Sequence, residues 1–330
     1  MKSNQFKALV LSSFFIVLTS CSEDTNSDLT TSDAVTLSVE SSNFITEGLA
    51  TPITIESRTL SDGSTADCYK IVVTGAATDH EMGPWCPSNI SDDATAGGIW
   101  LENGEVYDVD GAFVQNLATF YNDDTWMLYN ATTGEITKTS TETECEEAAN
   151  PNVGAEYKNY CVECLPSYVE DLTHTYYIPV TPKIADTPYI FSTGPGGGPG
   201  TTISTVPSNR GLAFNGVVFD APAPTDNILS AYTLAPFDDA GGHINLAAGY
   251  HYHAATGLST KITQTDNHAA MIGYALDGYG IFENTDENGN EATDLDASRG
   301  HYDDTRGYHY HVDKAGNNNF IDGLRGEYAL

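Results

Sequence analysis

Positive charge is scarce in this 330-residue chain. It contains 13 Lys and Arg residues against 46 Asp and Glu residues, and its formal net charge is −33 at pH 7. A surface of this sign repels phosphate backbones and anionic headgroups, which argues against nucleic acid and anionic lipid surfaces as partners. The same surface favours cations.

Long apolar runs are also scarce, because the sequence has only one, at residues 8–18. It follows Lys2 and Lys7 and ends in Leu18-Thr19-Ser20-Cys21, which is similar to the lipobox of bacterial lipoproteins. Such a leader is cleaved before the cysteine, and the cysteine then carries lipid. We therefore expect Cys21 to be lipidated and to be the chain's only membrane contact.

This leader implies how the chain is divided into segments and where in the cell the protein is located. The predicted segments are a signal peptide at 1–20, an acidic flexible tether at 21–34 and one domain at 35–330, with a sub-boundary considered at the Gly/Pro loop 194–200. The predicted location is the cell envelope, as an outer-membrane lipoprotein that faces the periplasm or the cell surface.

Signatures of nucleophilic catalysis and phosphate binding are missing. The sequence has no Gly-x-Ser-x-Gly, and the Gly/Pro loop does not end in Lys-Ser/Thr. Cys161 and Cys164 form a single CxxC, whereas a zinc ribbon needs two.

Once Cys21 is assigned to lipid, five cysteines remain, an odd number. An exported chain keeps its disulfides, so we predict two bridges and one thiol, with the pairing left open. The candidates are Cys68, Cys86, Cys145, Cys161 and Cys164.

The predicted fold class is α+β and mostly β, a single large mixed domain with few short helices. Short β-branched runs predict strands at 35–39, 53–55, 69–73, 106–109 and 176–180. Hairpins are predicted over 125–138 and over 212–219, the second with a turn at Asn215-Gly216. Residues 271–282 are predicted to be a buried strand with a turn at Asp277-Gly278. Apolar residues at helical spacing after Asp110 predict one clear helix.

The most informative pattern is a twelve-residue motif that occurs twice. Gly-His-x5-Gly-Tyr-His-Tyr-His runs from Gly242 to His253 and again from Gly300 to His311. In a strand, the two histidines of Tyr-His-Tyr-His share one face and the tyrosines share the other. A third histidine from the preceding Gly-His completes a three-nitrogen metal cradle in each copy.

Three neutral imidazoles suit zinc or copper(II). Carboxylates nearby, at Asp266, Asp277, Asp303 and Asp304, are candidates to hold the second ring nitrogens. Asp286 and Asn288 are candidates for a calcium-binding loop. We favour an ordinary solvated turn there, because the Glu that closes a calcium loop is missing. The candidate metal residues are His243, His251, His253, His301, His309 and His311, with His268, Asp277 and His80 as additional candidates.

Together these residues resemble the YHYH-domain proteins, a bacterial family. The resemblance rests on Asp79-His80 with Gly83, on Asn215-Gly-Val-x-Phe219, on the first repeat and on Asp277-Gly-Tyr279, in that order along the chain. It extends from about residue 65 to 313. The chain departs from the family in its second half, where it has a full second Tyr-His-Tyr-His. The resemblance implies a domain rather than a settled activity.

Three functions fit these patterns. The first is binding or storage of a transition metal by an exported, lipid-anchored protein. The second is metal-dependent hydrolysis or oxidation, which needs an open coordination position. The third is a structural or surface-interaction module in which tyrosines and histidines form a hydrogen-bond network without metal. The protein partner, if there is one, is unknown.

The lipobox yields a direct prediction. Replacement Cys21→Ser removes the lipid acceptor, so the protein should move from the membrane fraction to the soluble fraction on cell fractionation. Partition of the variant with membranes, as for the parent, would show that the anchor has been assigned wrongly.

Overall fold

The computed structural model describes residues 35–149, 152–191 and 208–330, which belong to one compact unit. The predicted signal peptide, the tether and the Gly/Pro loop 194–200 lie outside these residues. The helices are α1 (Gly111–Phe120), α2 (Glu142–Ala148) and α3 (Thr225–Ser230). The strands are β1 (Thr54–Thr59), β2 (Thr65–Thr74), β3 (Ile99–Glu102), β4 (Glu105–Asp108), β5 (Thr173–Pro179), β6 (Ile184–Ile190), β7 (Gly211–Ala213), β8 (Val218–Phe219), β9 (Gly242–Asn245), β10 (Gly249–Tyr252), β11 (Met271–Ala275), β12 (Gly280–Phe282), β13 (Gly300–Asp303), β14 (Gly307–His311) and β15 (Gly323–Gly326).

An eight-stranded sheet carries both histidine repeats. Its strand order is β13-β14-β12-β11-β7-β8-β10-β9, so each repeat forms the hairpin at one edge. At the centre, β7 and β11 pair antiparallel with Leu212 opposite Tyr274. The order of strand types is the same from either edge, with β8 parallel to β10 and β12 parallel to β14. The sheet is therefore two similar halves related by a pseudo-twofold axis.

Turn residues and strand register agree between the halves. Gly216 and Gly278 both have positive φ, at 85° and 90°, in the turns of the two central hairpins. Glycine adopts this region without a steric penalty. Beyond the turns, Tyr252 lies opposite Phe219 and Tyr310 lies opposite Ile281. Equivalent positions therefore have equivalent neighbours.

Smaller sheets surround this core. β1-β2-β5 form a three-stranded sheet, and β3-β4 and β6-β15 form two-stranded sheets. Helix α1 buries Val114 and Leu117 beside Trp100 in a second apolar cluster. The architecture confirms the expected α+β class with mostly β structure. Within the described ranges, no helix is both long and apolar enough to span a bilayer.

The predicted helix, α1, begins directly after its N-cap residue, Asp110. The Asp110 side chain accepts a hydrogen bond from the Phe113 backbone N–H at 2.6 Å, so a free donor of the first turn is satisfied. The predicted hairpin at 212–219 is also present, as β7-β8. The predicted strand with a turn at 271–282 forms two paired strands, β11 and β12.

Some expected elements differ from the sequence prediction. Residues 35–39 form no strand, because only Thr36 makes an isolated bridge, to Gly307. The expected hairpin at 125–138 is reduced to a bridge between Tyr129 and Ile136. Helix α2 was not predicted, since it buries only Cys145 and Ala148 and shows little apolar periodicity.

The disulfides have the predicted number. Cys86 pairs with Cys161 and Cys145 pairs with Cys164, while Cys68 is a buried thiol that forms no disulfide within the described residues. Cys161 and Cys164 thus bind different partners, and the CxxC links the loop at Cys86 and helix α2 to one short segment.

The two bridges should differ in how much they stabilise the fold. The Cys86–Cys161 bridge closes 75 residues and Cys145–Cys164 closes 19. On chain entropy alone, paired replacement by Ala should lower the free energy of unfolding by about 4 and about 3 kcal/mol, respectively. Urea denaturation measures this order. Peptide mapping without reduction should recover Cys68 as the thiol, and a different pairing would contradict the structure.

Candidate functional site

Strand pairing brings the histidines of each repeat to one face of the sheet. His243 on β9 lies directly opposite His251 on β10, and His253 follows two residues later on the same side. His301 on β13 lies opposite His309 on β14 in the same way. The separation of Gly-His from Tyr-His-Tyr-His is therefore the length of one hairpin turn.

The first cluster consists of His243, His251 and His253. Their candidate ligand atoms all lie within 4.8 Å of one another. The Nε2 atoms of His243 and His253 are 3.2 Å apart. His251 and His253 are each 1% exposed, whereas His243 is partly exposed.

The second cluster has four members, because His268 joins His301, His309 and His311. The Nε2 atom of His309 is 2.9 Å from that of His301 and 3.0 Å from that of His268. The Nε2 atoms of His311 and His301 are 3.2 Å apart. Metal–nitrogen bonds of about 2.0–2.1 Å in tetrahedral geometry separate the nitrogens by about 3.3 Å. The spacing is thus close to that of four ligands around one ion.

In six of the seven rings the other nitrogen, Nδ1, is held by an acceptor. The Nδ1 contacts are His251 to Gly249 O (2.9 Å), His253 to Ala221 O (2.7 Å), His268 to Ala269 O (3.0 Å), His301 to the Asp294 carboxylate (2.8 Å), His309 to Gly307 O (2.9 Å) and His311 to Glu283 O (2.9 Å). Carbonyl and carboxylate oxygens only accept, so Nδ1 carries the hydrogen and Nε2 presents a lone pair. This fixes ring orientation and tautomer as metal-ligating histidines require.

Burial favours the neutral form of four of these rings. It lowers the pKa of His309 to about 3 and that of His311 to about 4. It also lowers the pKa values of His243 and His253 well below their ordinary value, and neighbouring imidazoles add to the effect. Neutral imidazole is the form that binds a metal ion.

The glycine of each Gly-His lies under a tyrosine ring. A Cβ at Gly242 would lie 2.5 Å from Cζ of Tyr250, and a Cβ at Gly300 would lie 2.1 Å from the Tyr308 hydroxyl. Heavy atoms do not approach so closely, so only glycine fits. The tyrosine therefore crosses the neighbouring strand on the face opposite the histidines.

On that opposite face the first tyrosine of each repeat binds an aspartate carboxylate. Tyr250 donates to Asp238 and Tyr308 donates to Asp296, each at 2.9 Å or less. Asp238 and Asp296 each lie four residues before the Gly of Gly-His, and each also accepts from that glycine's N–H. The repeat therefore begins with an aspartate that sequence reasoning missed, although its identical position in both copies was visible.

The second tyrosine of each repeat contacts the turn of the adjacent hairpin. Tyr310 donates to Asp277 at 2.5 Å, and Tyr252 accepts from the Asn215 amide at 2.8 Å. Asp277 therefore belongs to the tyrosine face and contacts neither histidine cluster. The expectation that the four tyrosines face away from the histidines agrees with these contacts.

Other candidates also lie away from the clusters. His80 uses Nδ1 with Asp79 at 2.7 Å and Nε2 with the Tyr250 hydroxyl at 3.1 Å. The Asp286 carboxylate accepts from the N–H groups of Asn288 and Asn290, as in an ordinary turn.

The carboxylates expected to orient the histidines do not do so. Asp266 and Asp303 form ion pairs with Arg306, and Asp294 holds His301 instead. Asp294 was missed because it precedes the repeat by a loop whose path the sequence does not show. Backbone carbonyls hold the other rings, and these leave no sequence signal.

A model of the family described as YHYH protein matches residues 175–294. Residues 175–294 therefore carry the domain of this family. The match contains the first repeat and both central hairpins, and it ends before the second repeat, so it is shorter than the resemblance expected from about 65 to 313. No curated protein and no solved structure matches the chain.

The tyrosine face should produce a measurable pH dependence. Burial raises the pKa of Asp277 to about 6 from its ordinary value of 3.8. Ionisation then opposes folding, so the carboxyl's contribution is complete below pH 4 and is lost as pH rises through 6. Relative to Asp277→Asn, the parent should lose about 2 kcal/mol of unfolding free energy between pH 4 and 7.

Urea denaturation in the presence of a chelator measures this difference. The control is Asp304→Asn, in an exposed turn, for which the difference from the parent should stay constant with pH. Parallel curves for the parent and Asp277→Asn would show that Asp277 titrates normally in the fold.

Proposed function

We propose that this YHYH protein binds transition metal ions at its two histidine clusters. The observation that carries the proposal is the convergence of Nε2 lone pairs in each cluster while Nδ1 is held by acceptors. The rings are arranged as ligands before any ion is considered, because their tautomer, orientation and neutral state are fixed by the surrounding backbone.

A hydrogen-bond network without metal explains the same contacts less well. In the second cluster His301, His309 and His268 point Nε2 atoms at one another over 2.9–3.0 Å. If every Nδ1 carries the hydrogen, no donor lies between these atoms, and the facing lone pairs repel. A shared cation removes the repulsion.

Zinc and copper(II) suit this donor set. Neutral imidazole nitrogens bind both ions, whereas calcium and magnesium prefer oxygen ligands. A tetrahedral arrangement of four nitrogens favours zinc at the second cluster.

A second candidate function, a metal-dependent hydrolase or oxidoreductase, is favoured by one observation. A cavity of about 950 Å³ is lined by His243, His251 and His253. A catalytic metal needs space for substrate beside its ligands.

We also propose that the protein acts in the cell envelope, anchored by Cys21 to the outer membrane. Two disulfides among the described residues support an oxidising compartment. The acidic surface supports this placement, because it repels anionic headgroups and limits membrane contact to the anchor.

Metal analysis of mature protein without a histidine tag tests the principal proposal. The parent should hold two ions per chain. His251→Ala with His253→Ala should remove one, and His309→Ala with His311→Ala should remove the other, because each pair deletes two ligands of one cluster. The readout is elemental analysis after dialysis, with circular dichroism to verify folding.

His174→Ala is the matched control, since His174 lies on β5 outside both clusters and should leave two ions bound. Folded parent protein that takes up no ion from excess zinc or copper would overturn the proposal. So would unchanged stoichiometry in both double variants.

A further inference from the structure

The sequences of the two halves differ at two positions that, in the second half, lie beside the histidines. In the second half, His268 lies five residues before Gly273, which pairs with Ala213 at the centre of the sheet. The equivalent glycine in the first half is Gly211, and the residue five before it in the sequence is Val206. Val206 is outside the described residues, but its side chain has no metal-binding atom. At the other position, Phe282 on β12 corresponds to Asp220, which directly follows β8.

These differences leave the second cluster with no open coordination position. His268 supplies a fourth Nε2 atom, so the ligand set of a tetrahedral ion is complete. The Phe282 ring covers the same group, with its centroid 4.9 Å from that of His268 and 5.0 Å from that of His309. Four nitrogens and an apolar cover are typical of a structural metal site.

Among the described residues, the first cluster has three nitrogens, and it borders the 950 Å³ cavity. Asp220 follows Phe219, which lies opposite Tyr252, so Asp220 is beside His253 on the histidine face. Asp220 is 5% exposed, lines the cavity and accepts the Ala221 N–H at 2.7 Å. A carboxylate here replaces the apolar cover of the second cluster.

The charged side chains in the described lining of the cavity are acidic. Its described lining contains three acids, Glu146, Glu163 and Asp220, and neither Lys nor Arg. Lys138 pairs with Glu163 at 2.7 Å, whereas no ion pair of Asp220 is found in the described residues. The Arg210 guanidinium stacks on Phe191, with its carbon 3.7 Å from the ring centroid. The positive charge of Arg210 therefore acts on Asp220 only at longer range.

We propose that the first cluster is the ligand-exchanging centre of the protein and the second is a closed structural site. The fourth coordination position of the first cluster opens to the cavity, where Asp220 accepts a hydrogen bond from the incoming ligand and repels anions. The ligand class is a neutral or cationic small organic molecule with a nitrogen or oxygen donor. This inference rests on the proposed metal function.

Cobalt(II) absorption spectra distinguish open from closed coordination. The protein is loaded with cobalt in two forms: His309→Ala with His311→Ala keeps the first cluster, and His251→Ala with His253→Ala keeps the second. Imidazole, a neutral probe, should change the visible bands of the first form and leave those of the second unchanged.

The role of Asp220 is tested with azide, an anionic probe, in the form that keeps the first cluster. Asp220→Asn should tighten azide binding about tenfold, because the opposing charge in a site of low effective dielectric is removed. The control Asp226→Asn, in the exposed first turn of α3, should change azide binding less than twofold. Imidazole should not gain affinity in either variant.

The outcomes separate this inference from the metal proposal. Absence of cobalt from both forms would overturn the metal function itself. Cobalt in both forms with spectra that respond equally to imidazole, or only in the second form, would overturn the division between the clusters while metal binding stands. Equal azide affinity in Asp220→Asn and Asp226→Asn would overturn the role given to Asp220.

Discussion

The crossing of a tyrosine ring over a glycine on the adjacent strand sets the register on which both clusters depend. Tyr250 fills the space above Gly242, and Tyr308 fills the space above Gly300. A shift of one residue would bring a side chain under the ring and would also move the histidines to the wrong face. The polar end of each tyrosine is satisfied by an aspartate of the same repeat, so one buried contact orders the opposite face of the sheet.

Histidine geometry follows from that register and from the backbone. His243 and His251 are cross-strand neighbours, and carbonyl groups of the same sheet orient the rings. The clusters thus need few dedicated orienting side chains. Asp294 is the exception, and it acts on His301, the ring of its cluster nearest the loop.

Local patterns predicted local structure well. The two repeats, the turns at Asn215-Gly216 and Asp277-Gly278, and the capped helix after Asp110 all depend on residues close in sequence. Long-range placement was less accessible. His80 was a metal candidate by residue type alone, and the fold instead places it beside Tyr250. The fourth nitrogen, from His268, was only an additional candidate, since its strand neighbours come from a distant repeat. Disulfide pairing was open for the same reason, because chain closure over 75 residues leaves no local signature.

The Cys145–Cys164 bridge has a consequence for the cavity. Glu146, Ala148 and Ala149 on one side of the bridge, and Val162 to Cys164 on the other, form part of the wall beside the first histidine cluster. The histidines themselves belong to a hydrogen-bonded sheet that contains no cysteine. Reduction of this disulfide would therefore loosen the cavity wall while leaving the histidine-bearing strands paired. Under the proposed function, the redox state of the surroundings would thus affect which ligands reach the first cluster and would leave the binding of the ion itself unchanged.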